Sequence, residues 1–209
     1  MRILRYLQEG AEKRNETLFY MYENTANMDT CNKKRMIKCV IFLKSIILNQ
    51  ILKFFFTIII LINLSKPSSR RDFKAEPIEL CASLFVPMRR NRLFFTNIPK
   101  SNDATMVNEV PPLEDYLDVG RKATMVLLPT ITTNPNSHKR NDKYPVIDEE
   151  GEESFLSVNE LERLFGLGEG YTDNGFLSTT QRRKLIGKSW CMPVIAHLLK
   201  PLQNYYSQQ

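Results

Sequence analysis

Gly187-Lys188-Ser189-Trp190-Cys191-Met192-Pro193-Val194-Ile195-Ala196-His197-Leu198 is the stretch on which the fold turns. Gly187, the lone Trp190 and Pro193 mark a shaped turn that leads into a helix. Pro193 suits the first helical turn, where its missing N–H costs nothing. Val194, Leu198, Leu202 and Tyr205 then recur at helical spacing, so one face of that helix is expected to be buried. Pro201 is expected to bend it. Working back, Ser178 with Gln181 forms a capping box ahead of Leu185 and Ile186, and Gly187 can close that helix. Ser157 with Glu160 forms a second box ahead of Leu161, Leu164 and Phe165, with Gly166 or Gly168 as the stop. Residues Ser154–Gln209 therefore read as helices.

Upstream, Asp72–Glu153 places apolar pieces such as Leu93–Phe95 and Met125–Leu128 between loops rich in Pro, Asn, Ser and Thr. That pattern reads as short strands with long functional loops. Near the start, Leu18–Tyr22 is a buried-strand run that ends at Glu23-Asn24. Between the two lies Cys39–Arg71, whose core Val40–Leu64 is built almost wholly from Ile, Leu, Phe, Lys and Asn. A membrane helix needs ~20 mostly apolar residues. Lys44, Asn49, Gln50, Lys53 and Asn63 interrupt this one, and a central lysine costs ~2.5–3.5 kcal/mol on insertion. Both flanks are basic, so no orientation is specified, and the cleanest piece, Phe54–Ile62, is too short to span.

The chain has 209 residues, 43% hydrophobic and 25% charged, enough for one ordinary domain. Its net charge of +6 and pI near 9.1 favour nucleic acid or an anionic membrane as partner without choosing between them. Cys31, Cys39, Cys81 and Cys191 form no C-x-x-C pair, and His138 and His197 lie far apart. No structural metal site and no disulfide framework is expected, which suits a reducing compartment.

Four groups of residues carry a family resemblance by their order. Glu162-Arg-x-Phe165-Gly166, Tyr171-Thr172-Asp173 and Gly187-Lys-Ser-Trp190-x-x-Pro193-Val194-Ile195-x-His197-Leu198 resemble, without gaps, the end of the de novo DNA (cytosine-5) methyltransferases. Thr130-Ile-Thr-Thr133-x-x-Asn136-Ser137-x-Lys139 resembles that family's DNA-reading loop. Arg90-Asn-Arg92-Leu-Phe-Phe-Thr-Asn97-Ile-Pro99 resembles the motif beside the target base, and Tyr22-Glu23-Asn24-Thr25 the catalytic glutamate motif, normally Glu-Asn-Val. The resemblance covers Arg5–Lys38 and about Phe73–Gln209. It fails on the apolar stretch between, which is biased to residues of AT-rich codons and reads best as translated intron, otherwise as a genuine insertion or a membrane helix.

The resemblance implies an α/β chain, a partial Rossmann-like fold of the S-adenosylmethionine-dependent methyltransferases. Its segments would be 1–38 with the Glu-Asn motif, the insertion 39–71, core strands in 72–112, a target-recognition region in 113–153 and closing helices in 154–209. In such enzymes a cysteine thiolate adds to cytosine C6 and C5 then attacks the methyl group, on a base taken out of the stack. Glu23 would hold the N3/N4 edge of the base, and Arg90 and Arg92 would sit by its O2 and the backbone phosphate. Lys188, Ser189 and Trp190 would close over S-adenosylmethionine, the implied cofactor. Thr130, Thr132, Thr133, Asn134, Asn136, Ser137, Lys139 and Arg140 would lie along double-stranded DNA. Each has a plainer reading: a strand-end glutamate capping a turn, two arginines of a basic loop, a core tryptophan, a solvated polar loop.

Two departures and one absence qualify these expectations. Asn134 stands where the family usually has Arg or Lys, and Asn pairs better with adenine than with guanine. Thr179 stands where the family has an interface arginine; its counterpart Asp173 is kept, and Arg182 or Arg183 could substitute. No cysteine lies in the family's Pro-Cys-Asn/Gln setting, and no Gly-rich turn for the methyl donor is present. The chain is thus expected to be a C-terminal fragment, inactive alone, of a nuclear enzyme that assembles with methyltransferase subunits. A non-catalytic partner that binds DNA or a methyltransferase is the alternative, and a single-span membrane protein a weaker one.

Overall fold

A computed structural model describes residues 9–10, 12–13, 19–25, 38–42, 59–60, 78–99, 109–173 and 175–207. Strands and helices are both present, so the chain is mixed α/β. It divides into two compact units: Met1–Leu80 with Asn91–Pro99, and Cys81–Arg90 with Lys100–Gln209. Most of the apolar insertion, 43–58 and 61–71, and the basic run Lys33–Arg35 lie outside the described residues.

The first unit is a sheet of order β3-β2-β1-β5-β4, formed by β1 (Phe19–Thr25), β2 (Lys38–Phe42), β3 (Ile59–Ile60), β4 (Ile78–Cys81) and β5 (Asn91–Thr96). β1 is the central antiparallel partner of both β2 and β5. It runs beyond the expected end at Tyr22, because Glu23, Asn24 and Thr25 pair with Phe94, Leu93 and Arg92. Side chains alternate across a strand. Phe19, Met21 and Glu23 on β1 and Phe94 and Thr96 on β5 therefore share one face, and all five are buried. Two pieces of the apolar insertion join this sheet: Cys39–Phe42 in β2, between β1 and β3, and Ile59–Ile60 as the edge strand β3. No helix among the described residues is long and apolar enough to cross a membrane.

The second unit holds a small sheet of β6 (Lys122–Ala123), β7 (Val146–Ile147) and β8 (Glu153–Ser154), and three helices, α1 (Val158–Leu164), α2 (Thr179–Lys188) and α3 (Met192–Ser207). Its core is Leu113, Leu128, Val146, Leu156, Leu161, Leu164, Phe165, Ile186, Val194 and Ile195, all buried. Met125–Leu128, expected as a strand, is not one. Val126 is exposed, and only Leu128 pairs, bridging Met88 with N–H and C=O bonds to Pro87 and Arg89.

Both capping boxes form: Ser157 and Glu160 bond each other's N–H groups at the start of α1, and Ser178 and Gln181 do so at α2. Gly166, not Gly168, stops α1. It adopts φ +71, and the bonds Gly166 N–H to Arg163 O and Leu167 N–H to Glu162 O complete a Schellman motif. Gly187 does not close α2, which runs through it to Lys188 and caps at Ser189. α3 passes Pro201 without a break and buries Val194 and Leu198 as its spacing predicts; the side chain of Tyr205 lies outside the described residues.

Candidate functional site

In the first unit, the β1–β5 register decides which side chains can meet. Glu23 stands opposite Phe94, so Arg92 is its diagonal neighbour on the same face. The guanidinium Nε of Arg92 lies 3.2 Å from Glu23 Oε1, with the side chains 13% and 7% exposed. Arg92 also donates from NH1 to Asn91 O at 2.8 Å. Two residues far apart in sequence, singled out for the same pocket, are thus one buried ion pair. Glu23 is not capping a turn: it is inside a strand, and its partner is a cation.

Arg90 belongs to the second unit, and its guanidinium has another employment. NH1 donates to Ile131 O at 2.8 Å, and NH2 donates to Ser189 O at 2.8 Å and more loosely to Gly187 O at 3.4 Å. Its Cζ sits 5.3 Å over the Phe165 ring, its backbone N–H donates to Cys81 Sγ at 3.4 Å, and the residue is 5% exposed. Three carbonyls hold the Arg90 guanidinium, which thereby fastens together two of the predicted site segments.

Those segments touch at Gly187. A Cβ there would lie 2.4 Å from Thr132 O and 2.9 Å from Thr133 N, so the helix and the loop approach backbone to backbone. Glycine is needed for that approach and not for a left-handed turn. The signal was in the sequence, but its reading as a helix stop was the more familiar use of the residue.

The polar loop is internally organised. Thr132 Oγ1 accepts Asn134 N–H at 3.1 Å, and Ser137 Oγ accepts Thr132 N–H at 3.0 Å. Asn134 Oδ1 accepts Asn136 N–H at 3.0 Å, capping the short 3-10 turn Pro135–His138. The Asn134 carbonyl oxygen is therefore occupied in shaping the loop. Thr132, Thr133, Asn134, Asn136 and Arg140 are exposed, while Thr130 and Ser137 are half-buried. Lys139 is tucked in, its Nζ 3.7 Å over the Tyr144 ring. His138, which no sequence signal marked, anchors the loop. It is 2% exposed, edge-on to Phe155 at 5.6 Å, and burial with the nearby Arg183 charge lowers its pKa to about 4.

At the Lys188–Trp190 turn, Lys188 is exposed, and Ser189 directs its hydroxyl at Ile186 O, 2.8 Å away. Trp190 Nε1 is buried with no hydrogen-bond partner among the described residues. A buried indole N–H calls for an acceptor. The Trp190 N–H is thus left able to donate to a ligand, whereas the Ser189 hydroxyl is largely spent on the helix end.

On α1, Glu162 is fully buried and accepts from Gly170 N–H at 2.7 Å, Thr172 N–H at 2.8 Å and Thr172 Oγ1 at 2.5 Å. Burial alone would raise its pKa, but the bonds from Thr172, Arg182 and Gly170 outweigh that and hold the carboxyl below its ordinary value. Arg182 NH2 lies 3.2 Å from Glu162 Oε1 and NH1 3.3 Å from Asp173 Oδ2. Of the two candidates to stand in for the arginine missing at Thr179, Arg182 takes Asp173, while Arg183 donates to Leu156 O at 2.9 Å. Among the described residues no group of three His, Cys, Asp or Glu could hold a metal ion.

No family model matches the chain. Among solved structures it is similar to the methyltransferase EhMeth of Entamoeba histolytica, at 14% identity and a TM-score of 0.42, over 61% of this chain and 53% of that one. It is also similar to the Dnmt2 methyltransferase of S. pombe, at 16% identity and a TM-score of 0.43, over 60% of this chain and 57% of that one. The chain thus spans little more than half the length of each.

Proposed function

We propose that the chain is the C-terminal part of a DNA (cytosine-5) methyltransferase of the de novo type, with a partial Rossmann-like fold. The observation that carries this is the Glu23–Arg92 pair. A base-handling carboxylate and a guanidinium, each picked out by its own motif, meet at 3.2 Å on the buried face of paired strands. In the proposed reaction the Glu23 carboxyl holds the N3/N4 edge of an extruded cytosine, and Arg92 steadies that carboxylate and the O2 side of the ring. S-adenosylmethionine supplies the methyl group when bound, and this chain offers Trp190 as one wall for it. Thr132, Thr133, Asn134, Asn136 and Arg140, exposed on the loop of the second unit, are the residues that double-stranded DNA meets, and Arg90 acts through the scaffold of that unit. The nucleus is the compartment where such a substrate is found, and partner methyltransferase subunits complete the assembly.

The nucleophilic cysteine and the Gly-rich donor turn must come from another segment. Alone, the purified chain is expected to transfer no labelled methyl group to DNA, because members of a catalytic unit do not act singly. The deciding experiment co-expresses it with a nucleophile-bearing half of a family member and measures labelled methyl transfer. Transfer that is restored, and then lost on Glu23→Gln or Arg92→Met, supports the reading. Two halves that associate and still transfer nothing overturn it, in favour of a non-catalytic binding partner. The missing Pro-Cys setting is what keeps that second reading in play.

A further inference from the structure

Two stretches with separate proposed tasks, the loop Thr130–Arg140 and the turn Lys188–Trp190, are fastened in the same two places. One fastening is Arg90, whose single planar guanidinium bonds Ile131 O on one side and Ser189 O and Gly187 O on the other. The other is Gly187, where α2 meets the Thr132–Thr133 backbone with no room for a side chain. A guanidinium can do this because its donors point in fixed directions in one plane. Phe165, fully buried beneath the Arg90 cation, fixes that plane. The loop is also braced internally through Thr132, Asn134 and Ser137, next to Ile131.

We infer that Arg90 is a positioning residue that couples the loop to the turn, so that DNA held on the loop is sensed at Trp190. This rests on the proposed function for the identity of the loop's ligand; the mechanical coupling does not. Coupling between sites is reciprocal and is commonly worth about a 5- to 150-fold change in affinity.

Trp190 is the sole tryptophan and reports the turn directly. The test follows Trp190 emission and the anisotropy of a labelled duplex in one titration, and amide hydrogen exchange without DNA. In the unaltered chain, emission is expected to change in step with anisotropy. In Arg90→Met, at duplex concentrations that saturate the anisotropy, the emission change is lost whatever the shift in the binding midpoint, and Arg90→Lys restores it only in part. Without DNA, Arg90→Met is expected to speed exchange in Thr132–Ser137 and Ser189–Trp190 together, while Ile195–Leu198 stays slow. Gly187→Ala, which attacks the other fastening, should speed the same two segments. Duplex binding that leaves Trp190 unchanged overturns the inference and spares the DNA reading. No duplex binding overturns the DNA reading, and the exchange result then decides the coupling. Faster exchange in one segment only, or throughout the unit, overturns it.

Discussion

At the scale of single residues, the arginines of one motif part company. Arg90 and Arg92 are two residues apart in one motif, yet Arg92 faces a carboxylate and Arg90 three carbonyls. Nothing in the sequence separates them, because the partners that divide their roles are dozens of positions away. Glu23 was legible as a charge at the end of an apolar run. Its burial was not, since that depends on the β1–β5 register. The pair makes a sharp expectation. Breaking a buried ion pair by removing one partner typically costs about 3–5 kcal/mol, whereas replacing both with apolar groups is near neutral. Glu23→Ala and Arg92→Met should each lower the urea midpoint strongly, and Glu23→Leu with Arg92→Met should recover most of the loss. A double-variant loss equal to the sum of the two single losses would show that the two side chains are not coupled.

At the scale of elements, local rules were enough where a helix end satisfies itself. Ser157 with Glu160 and Ser178 with Gln181 formed the boxes that their spacing dictates, because both partners lie in one turn. Glycines were harder, since the same residue serves a left-handed cap or a close approach. Gly166 is the first case, with φ +71 and a Cβ position 2.7 Å from Pro193 Cδ. Gly187 is the second. Met125–Leu128 failed as a strand because apolarity alone does not supply a neighbouring strand, and only Leu128 found a partner. Gly166→Ala is expected to destabilise by about 1–2 kcal/mol from the left-handed backbone alone, and by more if Pro193 cannot shift. Thermal unfolding with an Ala at Gly168, where a Cβ meets nothing within 4 Å, is the control. A Gly168→Ala loss as large as the Gly166→Ala loss would remove the Schellman motif from the account.

At the scale of the whole molecule, stability should depend on pH through two buried groups that act in the same direction. His138 has its pKa lowered to about 4, from an ordinary 6.5, first by burial and then by the Arg183 charge. Its neutral form is the one the fold accepts, so its contribution is complete above pH 6.5 and drains away as pH falls toward 4, by roughly 3 kcal/mol in all. Glu162 is also lowered, from 4.5, so its contribution is complete above that value and is lost as acid protonates the folded carboxylate. Together they predict a urea midpoint that is flat near neutrality, falls below about pH 6.5, and falls further below the ordinary glutamate range. The two arms can be separated. His138→Phe offers a ring to Phe155 without a proton to take up, and should flatten the first fall. Glu162→Gln keeps the shape but loses the charge that Arg182 faces, and should lower stability at neutral pH by about 1.5–3 kcal/mol while shrinking the second fall, of which Asp118, held low by its bond to Arg163, keeps a share. A His138→Phe curve that still drops between pH 6.5 and 4 would mean that another group carries the first titration, and the loop anchor would then owe its order to packing on Phe155 alone.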